Sequence, residues 1–407
     1  MTEQISSTNP KPLLSRPTLW GNPWLWVAIP FLALAALLAV FAFGDPLRFF
    51  KTNVPPVEDL SFERIVVKPD GFNATIINGG AAETTIAQVM IDDAFWDFEI
   101  TPGLTVPRLG HATLTIKYPW VETEPHIIKI ITATGLTFEG EVAAATLTPV
   151  PGLKQFAAYG LLGVYVGILP IVLGFLWFPA MKKLGRRGMG AILALTIGLL
   201  IFLLVDTLLE ALEIAAEVPG VFQGVPLALF AALLTWLGLM AISARRGQQQ
   251  TDPVKQRLYV ATLIALGIGL HNLGEGLAIG AAFALGEAAL GSFLVIGFTL
   301  HNVTEGVGIA APITRDQPKL SQFVWLALLA GSPAILGAWI GGFAFSPLLA
   351  TIFLGIGVGA IWQVIVEVGN LLRRDAEREG LPLVSWLNVG ALLAGIAIMY
   401  LTAYLVK

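Results

Sequence analysis

The 407-residue sequence contains no cysteine and few charged residues. Disulfides and thiolate metal sites are therefore excluded, so a bound metal must be held by oxygen and imidazole ligands. Charged residues make up 13% of the chain and hydrophobic residues 56%. The formal net charge is −4 and the basic residues form only short clusters, which argues against a nucleic-acid partner. The chain is too apolar for a soluble enzyme and is predicted to cross a membrane several times.

Nine runs of about 20 apolar residues fit membrane-spanning helices. They lie at residues 24–43, 156–178, 192–216, 225–244, 258–285, 288–311, 323–345, 349–372 and 384–406. Lysine and arginine fall on alternate connections, at Lys11 and Arg16 and at residues 182–187, 245–257, 315–319 and 373–378. The positive-inside rule therefore predicts a cytoplasmic amino terminus and a carboxyl terminus outside the cell. The first run is too long for a signal-peptide core and is interpreted as a retained anchor.

The sequence predicts three parts: a tail and anchor at residues 1–51, an extracytoplasmic all-β domain at 52–150, and eight helices at 151–407. The middle part alternates β-rich runs with Gly, Pro and Asp turns, as in a small immunoglobulin-like sandwich. The runs lie at residues 63–68, 73–78, 85–91, 112–118 and 126–134. Residues 51–150 hold 13 acidic and 6 basic side chains, a net −7 that attracts cations only weakly. His111 and His126 could pass metal inward, but each stands alone in the β-rich part, so they are interpreted as ordinary surface or core histidines.

Two copies of the pattern His-Asn-x-x-Glu-Gly, at residues 271–276 and 301–306, lie inside adjacent apolar runs. On a helix, a glutamate four residues after a histidine lies about 40° from it, between the histidine and the asparagine. Because the copies start 30 residues apart, a tight turn near Gly286 makes the helices antiparallel and brings both motifs to the same depth. Two carboxylates in the membrane interior cost several kcal/mol unless a cation pairs with them. The sequence therefore predicts a divalent metal held by His271, Asn272, Glu275, His301, Asn302 and Glu305.

Two further polar ribbons lie on apolar helices. Asp206, Glu210, Glu213 and Glu217 span about 60° of a helix face and are predicted to line an external funnel for cations. Gln363, Glu367 and Asn370 form a similar ribbon near the cytoplasmic end of another span. Asp206, Glu210 and Glu367 are the pathway candidates; Glu213 and Glu217 are equally well explained as solvated residues at a helix end.

The duplicated motif and the eight spans after the β-rich part resemble the ZIP family of divalent metal transporters, especially its bacterial branch related to zinc-uptake and GufA-like proteins. The resemblance covers residues 156–407. It implies a polytopic α-helical membrane protein of the bacterial inner membrane, with a ZIP-like eight-helix bundle, one added amino-terminal helix and a small β-sandwich. It also implies a transport site on the fourth and fifth family helices, with a primary metal at His271, Glu275, His301 and Glu305 and a second at which Asn272 and Asn302 join the shared glutamates. It further implies inward movement of metal by alternating access, an exit-side role for Glu367 and, in many members, a homodimer. Zinc is the first expected substrate, and Fe²⁺, Mn²⁺, Co²⁺ and Cd²⁺ remain open.

The sequence departs from the family pattern at several positions. Gly274 and Thr304 stand where the family commonly has proline before the motif glutamate, so a kink there would need another cause. Ser332 stands where the sixth family helix usually has a glutamate, which predicts a weak or absent second metal position. The connection at 245–257 is rich in glutamine rather than histidine.

Other functions are compatible with the same residues. Each His-Glu pair could be polar glue between helices, although full charges within membrane spans are usually functional. A membrane-embedded metal-dependent hydrolase would need a general base, and the H-E-x-x-H pattern is absent. A metal sensor whose β domain binds a ligand is a third possibility. Membrane lipid and a metal ion are the expected partners in each of these functions.

Overall fold

The computed structural model describes residues 23–44, 56–247, 252–286 and 288–406. The predicted tail with Lys11 and Arg16, residues 52–55 of the predicted β domain and the glutamine-rich residues 248–251 lie outside the described residues. The chain divides into two compact units between Pro55 and Pro56. In the first unit, helix α1 (Pro23–Gly44) is apolar along its length.

The second unit holds the β domain and a helical bundle. The bundle helices are α2 (Leu153–Gly163), α3 (Leu169–Phe175), α4 (Phe178–Met181), α5 (Arg186–Ala216), α6 (Gly224–Gly247), α7 (Pro253–Ala284), α8 (Ala288–Ala310), α9 (Leu320–Ala344), α10 (Pro347–Glu379) and α11 (Trp386–Val406). Helices therefore occur at all nine predicted spans. Among the described residues, seven are long and apolar enough to cross a membrane, and two shorter apolar helices lie at Ala28–Phe41 and Trp386–Leu401. The predicted fold class, a multi-pass helical membrane protein with a small β domain, is confirmed.

The sequence predicted one continuous span at residues 156–178, but the first span of the bundle is interrupted. A π-helical segment, Val164–Ile168, separates α2 from α3. Pro170 follows directly, at the start of α3. Because proline has no N–H, it cannot donate the usual helical hydrogen bond to the Val166 carbonyl. That carbonyl is consequently available to another donor.

The β domain is a sandwich of antiparallel strands. The strands are β1 (Leu60–Lys68), β2 (Gly71–Asn78), β3 (Thr84–Ile91), β4 (Ala94–Trp96), β5 (Phe98–Thr101), β6 (Thr105–Val106), β7 (His111–Lys117), β8 (His126–Thr132) and β9 (Thr137–Val142). One sheet has the order β1-β2-β7-β5; the other has the order β4-β3-β8-β9, with β6 paired to β3. Alternate residues of the strands form an apolar core that includes Phe72, Ile86, Leu114 and Ile128. The predicted limits of this domain stay a prediction.

The β domain docks on one end of the bundle. Arg64 Nη1 donates to the Phe343 carbonyl at 3.0 Å, where α9 ends. The Gly220 N–H, just after α5, donates to Asp59 Oδ2 at 3.1 Å. These contacts join the domain to two separate helices of the bundle.

Within the bundle, α7 packs on α9 at backbone distance. A methyl group added at Gly276 would lie 2.1 Å from the Ala334 carbonyl oxygen, so only glycine allows this approach. The close packing holds the first half of the duplicated motif against α9.

Candidate metal centre

The two motif helices form an antiparallel hairpin, as predicted. Helix α7 ends at Ala284 and α8 begins at Ala288. Gly286, in the turn, has a φ of +85°, a conformation that favours glycine. The hairpin places His271 and His301 side by side, with their ring centroids 6.4 Å apart.

Glu275 lies between the two imidazoles. His271 Nε2 donates to Glu275 Oε1 at 3.0 Å, and His301 Nε2 donates to the same oxygen. One ligand atom from each of these three residues lies within 4.8 Å of the other two. The three side chains are 3–6% exposed, so this cluster is enclosed by the bundle.

The two motif asparagines are fixed by main-chain carbonyls of neighbouring segments. Asn272 Nδ2 donates to the Ala330 carbonyl of α9 at 3.0 Å. Asn302 Nδ2 donates to the Val166 carbonyl at 3.1 Å and to Glu275 Oε2 at 3.1 Å. Since each amide nitrogen is engaged by an acceptor, each amide oxygen is left facing elsewhere in the site.

Several buried atoms around the cluster have no hydrogen-bond partner. They are His271 Nδ1, Asn272 Oδ1, Asn302 Oδ1 and both carboxylate oxygens of Glu305. A buried polar atom without a partner costs about 1–3 kcal/mol, and more if it is charged. These atoms come from one turn of α7 and one turn of α8, and a bound cation would compensate for the hydrogen bonds that they lack. Of the six predicted ligands, Glu305 stands apart from the three-residue cluster, although it is 5% exposed and interacts electrostatically with His301 and Glu275.

The donor atoms suit a borderline divalent cation. Two imidazoles and a carboxylate are common zinc ligands, and amide oxygens can add weaker bonds. In the described arrangement each Nε2 carries the hydrogen that it donates to Glu275. A metal ligand must be deprotonated at the bonding atom, so a cation bound between these side chains would displace both hydrogens. Metal binding at this site would therefore be coupled to movement of a proton from, or within, each imidazole.

The pathway candidates lie outside the cluster. Glu210 lines a cavity of about 190 Å³ bounded by α5, α7 and α8. It is close enough to interact electrostatically with both Asp206 and Glu275. Asp206 is exposed on α5. Their role as an external funnel stays a prediction.

Glu367 lies in a different cavity of about 320 Å³ between α6, α7 and α10, with Arg374 on the same wall. Its Oε1 accepts hydrogen bonds from Ser243 Oγ at 2.5 Å and from Gln363 Nε2 at 2.9 Å. An exit-side role for this carboxylate stays a prediction.

The β-domain histidines pair with carboxylates of their own domain. His111 Nδ1 lies 2.8 Å from Glu63 Oε2, and His126 Nδ1 lies 2.8 Å from Asp92 Oδ2. Burial acts to raise the pKa of Asp92, but hydrogen bonds from the Ile127 N–H, His126 and Tyr118 hold that pKa below its ordinary value. His126 is thus a core residue held by a carboxylate.

Sequence reasoning missed the Val166 and Ala330 carbonyls, which orient the asparagines. Pro170 inside an apolar run was an available signal for the first, because proline leaves a carbonyl one turn earlier without its usual donor. Gly357 of α10 was also missed: a methyl group there would lie 3.6 Å from His271 Nδ1. This glycine leaves room beside the imidazole.

Comparison with known proteins supports a transport site. Residues 241–403 match the family model described as ZIP Zinc transporter. The matched region is less than half of the chain, contains all six residues predicted to bind metal, and excludes the β domain and α2–α5. No curated protein matches the chain.

Proposed function

We propose that the chain is a ZIP-like importer of divalent transition-metal cations, with zinc as the first substrate to test. One observation carries the proposal: His271, Glu275 and His301 converge inside a multi-pass bundle, beside buried ligand atoms that lack partners. The similarity of residues 241–403 to a zinc transporter family supports the same function. Fe²⁺, Mn²⁺, Co²⁺ and Cd²⁺ are alternative substrates because the site offers imidazole and oxygen but no thiolate.

Alternating access is the proposed mode of transport, because most helix-helix packing in the bundle falls within two groups, with α7 against α10 as the main contact between them. The first group contains α2, α3, α7, α8 and α9, and the second contains α5, α6, α10 and α11. Within the first group, glycines pack on neighbouring backbone, as Gly174 does on Val303 and Gly276 on Ala334. Within the second, Gly198 and Gly359 pack in the same way on Leu392 and Ala232. Each group is therefore held together by rigid backbone contacts.

At the glycines that face the other group, the nearest atoms belong to side chains. A methyl group added at Gly267 of α7 would lie 2.3 Å from Val364 Cγ2 of α10, with the Ala360 carbonyl oxygen farther away at 3.3 Å, and one added at Gly308 of α8 would lie 2.8 Å from Thr196 Cγ2 of α5. Side chains can change rotamer, whereas interlocked backbones cannot. All six motif residues belong to the first group, so a shift of this group past the second would carry the cation with it.

Zinc uptake into proteoliposomes tests the proposal. Glu275→Gln and Glu305→Gln keep the size of the side chain and remove the charge that balances the cation. Loss of one partner of a buried ionic site costs about 3–5 kcal/mol, so uptake at subsaturating zinc is expected to fall by about a hundredfold or more.

Ser292→Ala is the matched control. Ser292 lies on α8, is exposed, and bonds only locally to the Ala288 carbonyl. Its variant should transport as the wild type does. Wild-type rates in folded Glu275→Gln protein would contradict the assignment of the site.

A further inference from the structure

We propose that the β domain forms the outer wall of the entrance through which cations reach the metal centre. This inference rests on the proposed transport function and assigns a role to a domain that lies outside the matched residues. It follows from two adjoining cavities and from the docking contacts that hold the domain over them.

The inner cavity follows the metal-binding face of α7. With His271 at 0°, Glu275 lies at about 40°, Ala278 at about −20° and Ala282 at about 20°. Both alanines line the cavity of about 190 Å³ that also contains Glu210. The face that carries the ligands thus continues toward the β domain as small side chains that line this cavity.

The outer cavity lies between the β domain and the bundle and has a volume of about 450 Å³. Strands β1 and β9 supply one wall, including Glu63 and Glu141. The bundle supplies the other wall, including Glu217 at the end of α5.

The two cavities meet at a shared pair of side chains. Leu285, at the end of α7, and Phe345, just after α9, line both of them. Leu285 lies about 15 Å along the helix axis from Glu275, at ten residues and about 1.5 Å per residue. The pair therefore forms a neck between the space under the β domain and the space above the metal centre.

The position of the domain over this neck is fixed from several sides. Besides the Arg64 and Asp59 hydrogen bonds, Gly286 in the α7–α8 turn packs on Thr146: an added methyl group would lie 1.8 Å from Thr146 Oγ1. Gly79 of the β domain packs in the same way on Pro219, where an added methyl group would lie 2.7 Å from Cβ. These contacts anchor the domain beside α5, α7 and α9, which surround the neck.

The charge of the outer cavity is compatible with a cation. Arg64 is the one basic residue among its described lining residues, and its guanidinium is engaged by the Phe343 carbonyl. Glu141 and Glu217 lie on opposite walls. The lining thus holds four glutamates, Glu63, Glu139, Glu141 and Glu217, and one arginine, so its formal net charge favours a cation.

Single cysteines can test the route, because the natural chain contains none. The variants are Phe345→Cys at the neck, Glu141→Cys on the β-domain wall and Glu99→Cys as the control. Glu99 is exposed on β5, at the opposite edge of the sheet from β1, and lines a separate cavity. Each variant is reconstituted and labelled with the positively charged reagent trimethylammonium-ethyl methanethiosulfonate. Zinc uptake by the labelled variant is compared with that of the unlabelled variant and of the wild type.

Labelled Phe345→Cys should lose most of its uptake at all zinc concentrations, because the added group fills the neck. At Glu141→Cys, labelling replaces a lost carboxylate by a cation. The side-chain charge thus changes by two units relative to wild type. At about 10 Å from a passing zinc ion, this change should lower uptake of subsaturating zinc by about fivefold at 0.01 M ionic strength and about twofold at 0.15 M, relative to wild type. Labelled Glu99→Cys and reagent-treated wild type should be unchanged.

Full labelling of Phe345→Cys and Glu141→Cys with uptake equal to that of labelled Glu99→Cys would overturn the route, since cations would then enter elsewhere. An equal loss in all three labelled variants would also overturn it, because the effect would then be unrelated to position. Absence of zinc uptake by the wild type would instead contradict the transport function on which the route depends.

Discussion

The two motif glutamates occupy equivalent places in the sequence but different environments in the fold. Glu275 accepts hydrogen bonds from His271, His301 and Asn302, which compensate for its burial. The oxygens of Glu305 accept none. A buried carboxylate without partners is costly, so a bound cation would stabilise the Glu305 side of the site most. Cation binding should therefore break the hydrogen bonds from His271 and His301 to Glu275 and draw Glu305 toward the ion.

Ser332 bears on the number of ions bound. Ser332 lies two residues after Ala330, whose carbonyl accepts a hydrogen bond from Asn272. A serine hydroxyl, however, brings no negative charge to balance a second divalent ion. We expect one tightly bound zinc per chain in an isothermal titration of the purified protein. Ser332→Ala should leave this stoichiometry unchanged. Its zinc affinity should stay within about twofold of the wild-type value, a difference of less than about 0.5 kcal/mol. Two equally tight ions in the wild type, with one lost in Ser332→Ala, would show that the hydroxyl is a ligand.

Among the elements, the interrupted first span of the bundle contributes directly to the site. The Val166 carbonyl accepts from Asn302 because Pro170 supplies no competing N–H. Pro170→Ala restores that N–H and should draw the carbonyl back into the helix. Asn302 would then lose one of its two acceptors, and zinc affinity measured by titration should fall several-fold, by about 1 kcal/mol.

The control for this change is Pro253→Ala. Pro253 lies in the first turn of α7, where the backbone N–H has no acceptor inside the helix. Its replacement should leave zinc affinity unchanged. An unchanged affinity in Pro170→Ala as well would show that the Val166 contact does not orient Asn302.

The helices and the site were predicted to different extents for physical reasons. Long apolar runs and the 30-residue repeat specify α7, α8 and their shared depth, because helix geometry is regular. The strands β4, β5, β6 and β9 were missed. Three are four residues or shorter, and β9 contains Gly140, which packs against Phe62 in another strand. β4 and β9 pair with the strands just before them, whereas β5 pairs with β7 and β6 with β3 across intervening segments. Runs this short, or containing a glycine, show too little alternation of apolar and polar residues to be recognised locally.

On the scale of the whole molecule, the basic connections gather at one end of the bundle. Arg315 pairs with Glu379 at 2.5 Å, Arg186 lies 3.8 Å from the same carboxylate, and Lys182 donates to the Asp316 carbonyl. These residues come from three connections that the positive-inside rule places in the cytoplasm. The β domain contacts the bundle at Phe343, near the end of α9, and at Gly220, just after α5.

The sidedness of the molecule follows as a prediction. In intact cells, Glu99→Cys should react with a membrane-impermeant maleimide. Arg378→Cys, exposed near the end of α10, should react only after the membrane is permeabilised. The opposite labelling pattern would reverse the orientation and would turn the proposed importer into an exporter.

The docking of the β domain could not be predicted from the sequence. The Arg64–Phe343 hydrogen bond joins residues 279 positions apart, and the Asp59–Gly220 bond joins residues 161 apart. Neither residue pair carries a local pattern that distinguishes it from other surface groups. The net charge of the domain suggested only a weak attraction for cations, whereas its position depends on complementary surfaces.

The central claim is that His271, Glu275 and His301 hold a transported cation inside the bundle. Anomalous diffraction at the zinc absorption edge, on crystals of the zinc-loaded protein, tests it most directly. We predict one strong peak between α7 and α8, about 2.0–2.2 Å from an imidazole nitrogen of each histidine and from a Glu275 oxygen. Zinc bound elsewhere in the chain, with the three side chains still hydrogen-bonded to one another, would contradict the account.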